Sequence, residues 1–164
     1  FQQFLDFIST TTTDDLNPLY VYATAWAASI NARKGKWDAL ADLPKVETVL
    51  ERIVDLADDF ERGRAHMYLG VLHTLRPPAM GGRPDIGRAH FERALEISGG
   101  RNLMARVELA RRYARMVFDR TLHDDQLRQV LKADPIEPGF TLSNALAHRQ
   151  ARRLLKSSSE YFGE

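Results

Sequence analysis

Histidines, a run of arginines and a few aromatic side chains are the groups in this 164-residue chain whose types and spacing bear on chemistry. His66 and His73 flank Gly70, and at about 100° per residue the three fall within about 60° of one another on a helical wheel whose remaining face is apolar. A zinc-binding helix sets its histidines four apart with a carboxylate beside them. This pair has neither feature, so no metal is expected. A line of side chains beside a glycine, open to a cleft or meeting another helix, is the better reading. His90 lies in the packing arc of a later helix and reads equally as core or cleft. An enzyme built on His66, His73 or His90 with a nearby arginine would need a nucleophile, a metal set or paired acids at recognisable spacing. None stands out, so no catalytic residue and no cofactor is expected; convergence of these histidines on a carboxylate or a metal would revive that alternative. Tyr22 and Trp26, with Tyr20, either line a ligand cleft or belong to a core.

Arg101, Arg112 and Arg115 are the arginines best placed for a polar contact to a ligand or partner. Clustered cations between Arg101 and Arg120 also raise nucleic-acid binding as an alternative. Two features weigh against it. Glu108 stands four residues before Arg112 and Asp119 four after Arg115, so part of the charge is locally paired, and no loop interleaves aromatics with these cations. Docking to an acidic protein surface or a carboxylate is at least as good a reading.

The elements that must position these groups are helices. A formal charge of +1 argues against general affinity for polyanions, and the absence of cysteine excludes disulfides and thiolate metal sites. The length suits one domain. Residues 1–8 place Phe1, Phe4, Leu5 and Ile8 at helical spacing, and the threonine-rich tract 9–15 reads as a loop. Residues 16–32 carry no charge; they fall short of the roughly 20 predominantly apolar residues of a membrane span and read as a helix buried on most of its surface. Gly35 ends it. Pro44 starts the next helix with Asp42 as cap, and Val46, Val49, Leu50, Ile53 and Val54 form its inner stripe. Gly63 turns the chain into residues 64–75.

After an irregular connection over 76–83, whose paired glycines read as a turn rather than an anion site, a helix begins at Pro84. Its wheel puts Ile86, His90, Phe91, Ala94, Leu95, Ile97 and Ser98 on one side. Gly87 and Ala94 allow a neighbour to approach closely. Gly99 and Gly100 stop it, and Leu103, Val107, Ala110, Ala114 and Val117 mark the packed face of its successor. Residues 122–133 form a shorter helix, and Thr141 or Ser143 caps a last one running to about 157.

Leu50, Phe91 and Leu127 are equivalent in successive helices, followed by Ile53, Ala94 and Val130, then Val54, Leu95 and Leu131. Their intervals of 41 and 36 residues lie close to the 34 of the tetratricopeptide repeat, whose small–aromatic–alanine signature is visible as Gly87, Phe91 and Ala94. The expected fold is all-α, a tetratricopeptide-like array of helical hairpins, or α-solenoid.

Longer words carry a more specific likeness: YATAWAASI over 22–30, LPKVETVLERI over 43–53, AHMYLGVL over 65–72, GGRPDIGRAHFERALEISGGRNL over 81–103, VELARRYAR over 107–115 and NALAHRQARRLL over 144–155. In order and spacing these resemble the TatT component proteins of tripartite ATP-independent periplasmic (TRAP) transporters, over nearly the whole chain. Gly87 departs from the commoner alanine. The opening FQQFLDF lacks an initiating methionine, so an upstream portion with a lipoprotein-type signal is expected to be missing. The resemblance implies a non-enzymatic periplasmic protein, lipid-anchored in its precursor. It implies that the protein self-associates as a homo-oligomer, partners the substrate-binding subunit of a transporter and holds a small organic or hydrophobic ligand.

Overall fold

A computed structural model describes residues 1–32 and 41–163, and among them every regular element is helical. In chain order these are α1 (Gln2–Ser9), α2 (Leu16–Ala32), α3 (Leu43–Leu56), α4 (Arg64–His73), α5 (Pro84–Ile97), α6 (Leu103–Glu108), α7 (Arg120–Lys132), α8 (Thr141–Lys156) and α9 (Ser158–Phe162). Helix α6 runs on through a π-helical turn at Leu109–Ala114. The stop expected at Gly35 lies outside the described residues.

Each helix from α2 to α8 packs on the next, and α6 also reaches α8 past the intervening helix. The expected all-α array is therefore observed. One apolar core joins α1 to α4 through Ile8, Ala23, Val49, Ile53 and Leu69. A second joins α6, α7 and α8 through Val107, Leu127, Val130 and Ala147, and Phe91, Leu109 and Tyr113 bridge the two. The three repeat-equivalent sets behave alike. Leu50, Phe91 and Leu127 are at most 1% exposed and Ile53, Ala94 and Val130 fully buried, while Val54, Leu95 and Leu131 are partly buried.

The closest helix contact is between α4 and α5. A Cβ placed on Gly70 would stand 2.7 Å from the Phe91 ring and 3.0 Å from the Gly87 carbonyl, and one placed on Gly87 would stand 2.6 Å from Thr74 Cγ2. Two facing glycines thus let the backbones touch, and the side chains on either side of them, His66, His73 and His90, are drawn together. The turn entering α4 is tight: Glu61 and Arg62 adopt left-handed φ of 50° and 57°. It is tied down where the Arg62 guanidinium donates to the Pro138 carbonyl at 3.0 Å and pairs with Glu137 at 2.8 Å.

Several expectations are corrected. Helix α2 buries one side only: Leu19, Ala23 and Ile30 face the core, but Val21 is 64% exposed, because α3 covers a single face of it. The tract 9–15 contains a 3-10 turn at Thr13–Asp15, with the Thr12 amide donating to Asp15 Oδ2 at 2.9 Å. Ile86 is exposed, since a contact centred on Gly87 rotates its predecessor by about 100°. Val117 is exposed as well. The π turn breaks the seven-residue rhythm that would have kept it inside, and the helix has ended by that point. Asp42 occupies the cap position of α3, but its side chain pairs with Lys45 rather than with the helix amides. Phe140, not Thr141 or Ser143, precedes α8, while Thr141 Oγ1 accepts the Glu137 amide.

Candidate functional site

Two arrangements stand out, on opposite aspects of α3 and α4. The first is a row of imidazoles. His66 and His90 are joined Nδ1 to Nδ1 at 2.8 Å, and His90 stacks on His73 with ring centroids 5.4 Å apart and planes 17° from parallel. At one end His66 Nε2 meets Asp58 Oδ1 at 2.9 Å, and Asp58 also accepts from the Arg93 guanidinium. The Arg93 bonds, reinforced by His66, hold the Asp58 carboxyl below the usual carboxylate range despite partial burial. In the neutral ring, His66 Nε2–H donates to that carboxylate, so its Nδ1 accepts and His90 Nδ1–H is the donor. Burial, then the neighbouring His66 and His73 rings, push the His90 imidazole down to about 4.

At the other end of the row His73 Nδ1 lies 3.8 Å from Glu47 Oε1, and Arg83 pairs with the same carboxylate. Glu51, one helical turn further along α3, faces the same place. Partial desolvation and the adjacent Glu47 raise the Glu51 carboxyl, although the residue is exposed, while burial lowers the His73 imidazole. No carboxylate neighbours His66 and His73 along their own helix, as expected. Across the helix interface, however, the fold supplies Glu47, Glu51 and Asp58.

The second arrangement is a cavity of about 540 Å³ between α2, α3, α4 and α6, walled by Ala27, Leu43, Met67, Val71, Leu72 and Met104. Glu108, Arg111 and Arg112 supply its polar wall. Glu108 is 6% exposed and pairs with Arg112 at 2.6 Å and with Arg111. In the sequence Glu108 looks like half of a surface pair. The π turn beginning at Leu109 widens the helix just after it, and the carboxylate ends up inside holding two guanidinium groups. The missed signal is the run of buried apolar residues immediately around Glu108, Val107 before it and Leu109 and Ala110 after it.

The eight residues singled out from the sequence therefore do not form one site. His66, His73 and His90 come together. Arg112 lines the cavity, and Tyr22 and Trp26 do not: Tyr22 is 47% exposed and rests edge-on against Trp26, which packs on Phe4 and under the Lys45 ammonium. Arg101 reaches Glu137 at 3.5 Å from an exposed position. Arg115 donates to His123 Nε2 and Ser157 Oγ, each at 3.2 Å, and lies over the Tyr161 ring. Asp119 does not pair with Arg115 as the spacing had indicated; it caps α7, accepting the Leu122 amide at 2.8 Å.

Sequence reasoning also passed over His123, which is fully buried and bonded through Nδ1 to Asp124 Oδ1 at 2.8 Å. Ser158 Oγ donates to that same Asp124 oxygen at 2.7 Å. The hydroxyl is held by the carboxylate and not by the imidazole, so this serine, histidine and aspartate lack the base-to-nucleophile contact of a hydrolytic triad.

The family described as the TRAP transporter T-component (TAtT) matches residues 1–162. The chain belongs to that family. No curated protein matches it. As a T-component it is part of a transporter, in a family not known for enzymes. Among the described residues no helix is long and apolar enough to cross a membrane; the uncharged α2 gives Ala27 and Ile30 to the cavity wall.

Proposed function

We propose that this T-component is a non-enzymatic periplasmic scaffold, a tetratricopeptide-like hairpin array in one domain, that binds the transporter's substrate-binding subunit and holds a small apolar ligand. The observation that carries this reading is the cavity. Its volume of about 540 Å³ falls within the roughly 300–1,000 Å³ of small-molecule sites, which join apolar walls to a few placed polar groups. Glu108 with Arg111 and Arg112 is that polar group here, suited to orient a ligand carrying a carboxylate or hydroxyl at one end. Exposed Phe7, Val21 and Tyr22 provide apolar surface for self-association into a homo-oligomer, and lipid anchoring in the precursor would keep the assembly at the membrane.

Calorimetry with the cognate substrate-binding subunit tests the partner. A saturable complex is the expected result, and no heat and no co-elution would overturn it. For the ligand, an apolar fluorescent probe should bind and be displaced competitively by carboxylate-bearing amphiphiles, and Val71→Trp, which fills the cavity, should abolish both signals. Equal probe binding by Val71→Trp and the parent protein would sink the cavity as the site.

One observation favours an enzyme instead, the Asp58–His66–His90 chain, which meets the condition of histidines converging on a carboxylate. That chain lines no part of the cavity, and Thr74, the hydroxyl on the same helix face, is spent on the Gly70 carbonyl at 2.7 Å. Nucleic acid is not a proposed partner. The cations from Arg101 to Arg120 have intramolecular engagements, among them Glu137, Gln126, Glu108, His123 and Asp124. No mobility shift with DNA or RNA at low salt is expected.

A further inference from the structure

We propose that Glu47, Glu51 and His73 form a binding site for one divalent transition-metal ion, Zn²⁺ in the first instance, which staples α3 to α4. Four residues apart on α3, the two glutamates present their carboxylates on one face of that helix. From α4 the His73 imidazole points at them. It is 5% exposed and makes no hydrogen bond among the described residues, its Nδ1 standing 3.8 Å from Glu47 Oε1. One donor atom from each of the three lies within 4.8 Å of the others.

Zinc takes nitrogen and oxygen donors at about 2.0–2.2 Å, so the donors must draw together by roughly an ångström. The flexible partners can do this. Glu51 is exposed and the Glu47 side chain is 24% exposed, so both carboxylates can rotate, while His73 is held in place by its stack on His90. His90 is not among the three residues whose donor atoms come together; its Nδ1 is committed to His66.

The present occupant of the position is a single positive charge. The Arg83 guanidinium pairs with Glu47 from a side chain that is 50% exposed, so it can swing into solvent. It answers one carboxylate and leaves Glu51 beside Glu47. A divalent ion would answer both and recruit the imidazole as well. A set of one imidazole and two carboxylates suits Zn²⁺ or Mn²⁺ better than the all-oxygen cages of Ca²⁺ and Mg²⁺. The same two helices wall the ligand cavity with Val46, Leu50, Val71 and Leu72, so a staple between them would stiffen the chamber from behind.

The test is titration of the full chain with Zn²⁺, by calorimetry and by competition with a chromogenic chelator. One equivalent should bind and raise the melting temperature. Glu51→Gln, a surface change that leaves folding intact, and His73→Asn, checked for native circular dichroism, should each weaken binding by about tenfold or more. Arg83→Ala should strengthen it by up to about fivefold, because a competing surface ion pair is removed. The proposal is overturned by an absence of stoichiometric binding, by equal affinity in Glu51→Gln, or by weaker affinity in Arg83→Ala.

Discussion

His123 and His73 are both buried imidazoles beside carboxylates, 0% and 5% exposed, but their ring nitrogens are treated differently. His123 gives Nδ1 to Asp124 at 2.8 Å and receives the Arg115 guanidinium at Nε2, and Asp124 is further closed by Ser158 and flanked by Arg120 and Arg128. Burial alone would raise the Asp124 carboxyl; the Ser158 and His123 bonds outweigh it and leave it below the usual range. Among the described residues the His73 ring makes no hydrogen bond; it has Glu47 at 3.8 Å and the face of His90. The C-terminal network is saturated and works as a joint between α6, α7 and α9. The N-terminal one is open at the His73 end, and an open end is where a ligand or a metal can enter.

The largest expected effect tests the joint. Asp124→Ala strands the buried His123 and Ser158 donors, which should cost about 2–4 kcal/mol and lower the melting temperature by roughly 5–10 °C. A loss below about 1 kcal/mol in urea denaturation would mean that the two networks do not differ in kind.

Next comes the contact that assembles the open network. Gly70→Ala drives a methyl into the Phe91 ring and the Gly87 carbonyl, an overpacking worth about 1–3 kcal/mol. It should also part α4 from α5 enough to break the His66–His90 bond, read as a change in the imidazole nitrogen shifts by NMR.

Acid sharpens the comparison further. His90, pushed down to about 4, and His73 and His123, both lowered chiefly by burial, are held neutral in the folded chain. Once unfolded they take up protons near pH 6.5. The unfolded state therefore binds more protons at acid pH, so stability is full above about 6.5 and falls as pH drops towards 4, by up to about 1.4 kcal/mol per pH unit for each such histidine. The groups facing His90 and His73 are His66, Glu47, Asp58, Arg83 and Arg93. His90→Gln should flatten the profile between pH 6.5 and 4.5 by one proton's slope, and an unchanged slope would contradict the neutral, buried assignment.

The smallest effect is at the solvent edge. Arg93→Ala should leave the denaturation midpoint almost unmoved, because exposed ion pairs contribute little. It should nevertheless let the Asp58 carboxyl rise toward its ordinary value, since Arg93 is the main cause of its depression. A ¹³C titration of the Asp58 carboxyl reads this directly.

Much of the scaffold was legible because helical periodicity is local. The apolar spacing in α3, α5 and α7 named Leu50, Phe91, Leu127 and their successors, and all of these are buried or partly buried. The small residues Gly87 and Ala94 announced a close approach, and that approach exists, Gly87 meeting Gly70 and Thr74 and Ala94 lying against Gly63. Legibility failed where a neighbour decides. Composition marked α2 as uncharged, but its packing on α3, which buries Leu19 and Ala23, decides that Val21 and Tyr22 are exposed among the described residues. Val117 followed the heptad and was carried out of the core by a π turn that no spacing rule anticipates.

The candidate site divides the same way. By itself the sequence determined that this is a helical chain of the T-component family, that His66 and His73 share a helix face, and that His90 lies near the packing arc of another helix. Only the tertiary structure decided that the three rings stack in one row, that Asp58, Glu47 and Glu51 arrive from outside their helices, and that Glu108 turns inward to hold two arginines. The reason is physical. A helix fixes which side chains share its own face through hydrogen bonds four residues apart, whereas the charges that meet that face come from residues distant in the chain, brought there by the packing of Gly70 on Gly87 and of α3 on α4.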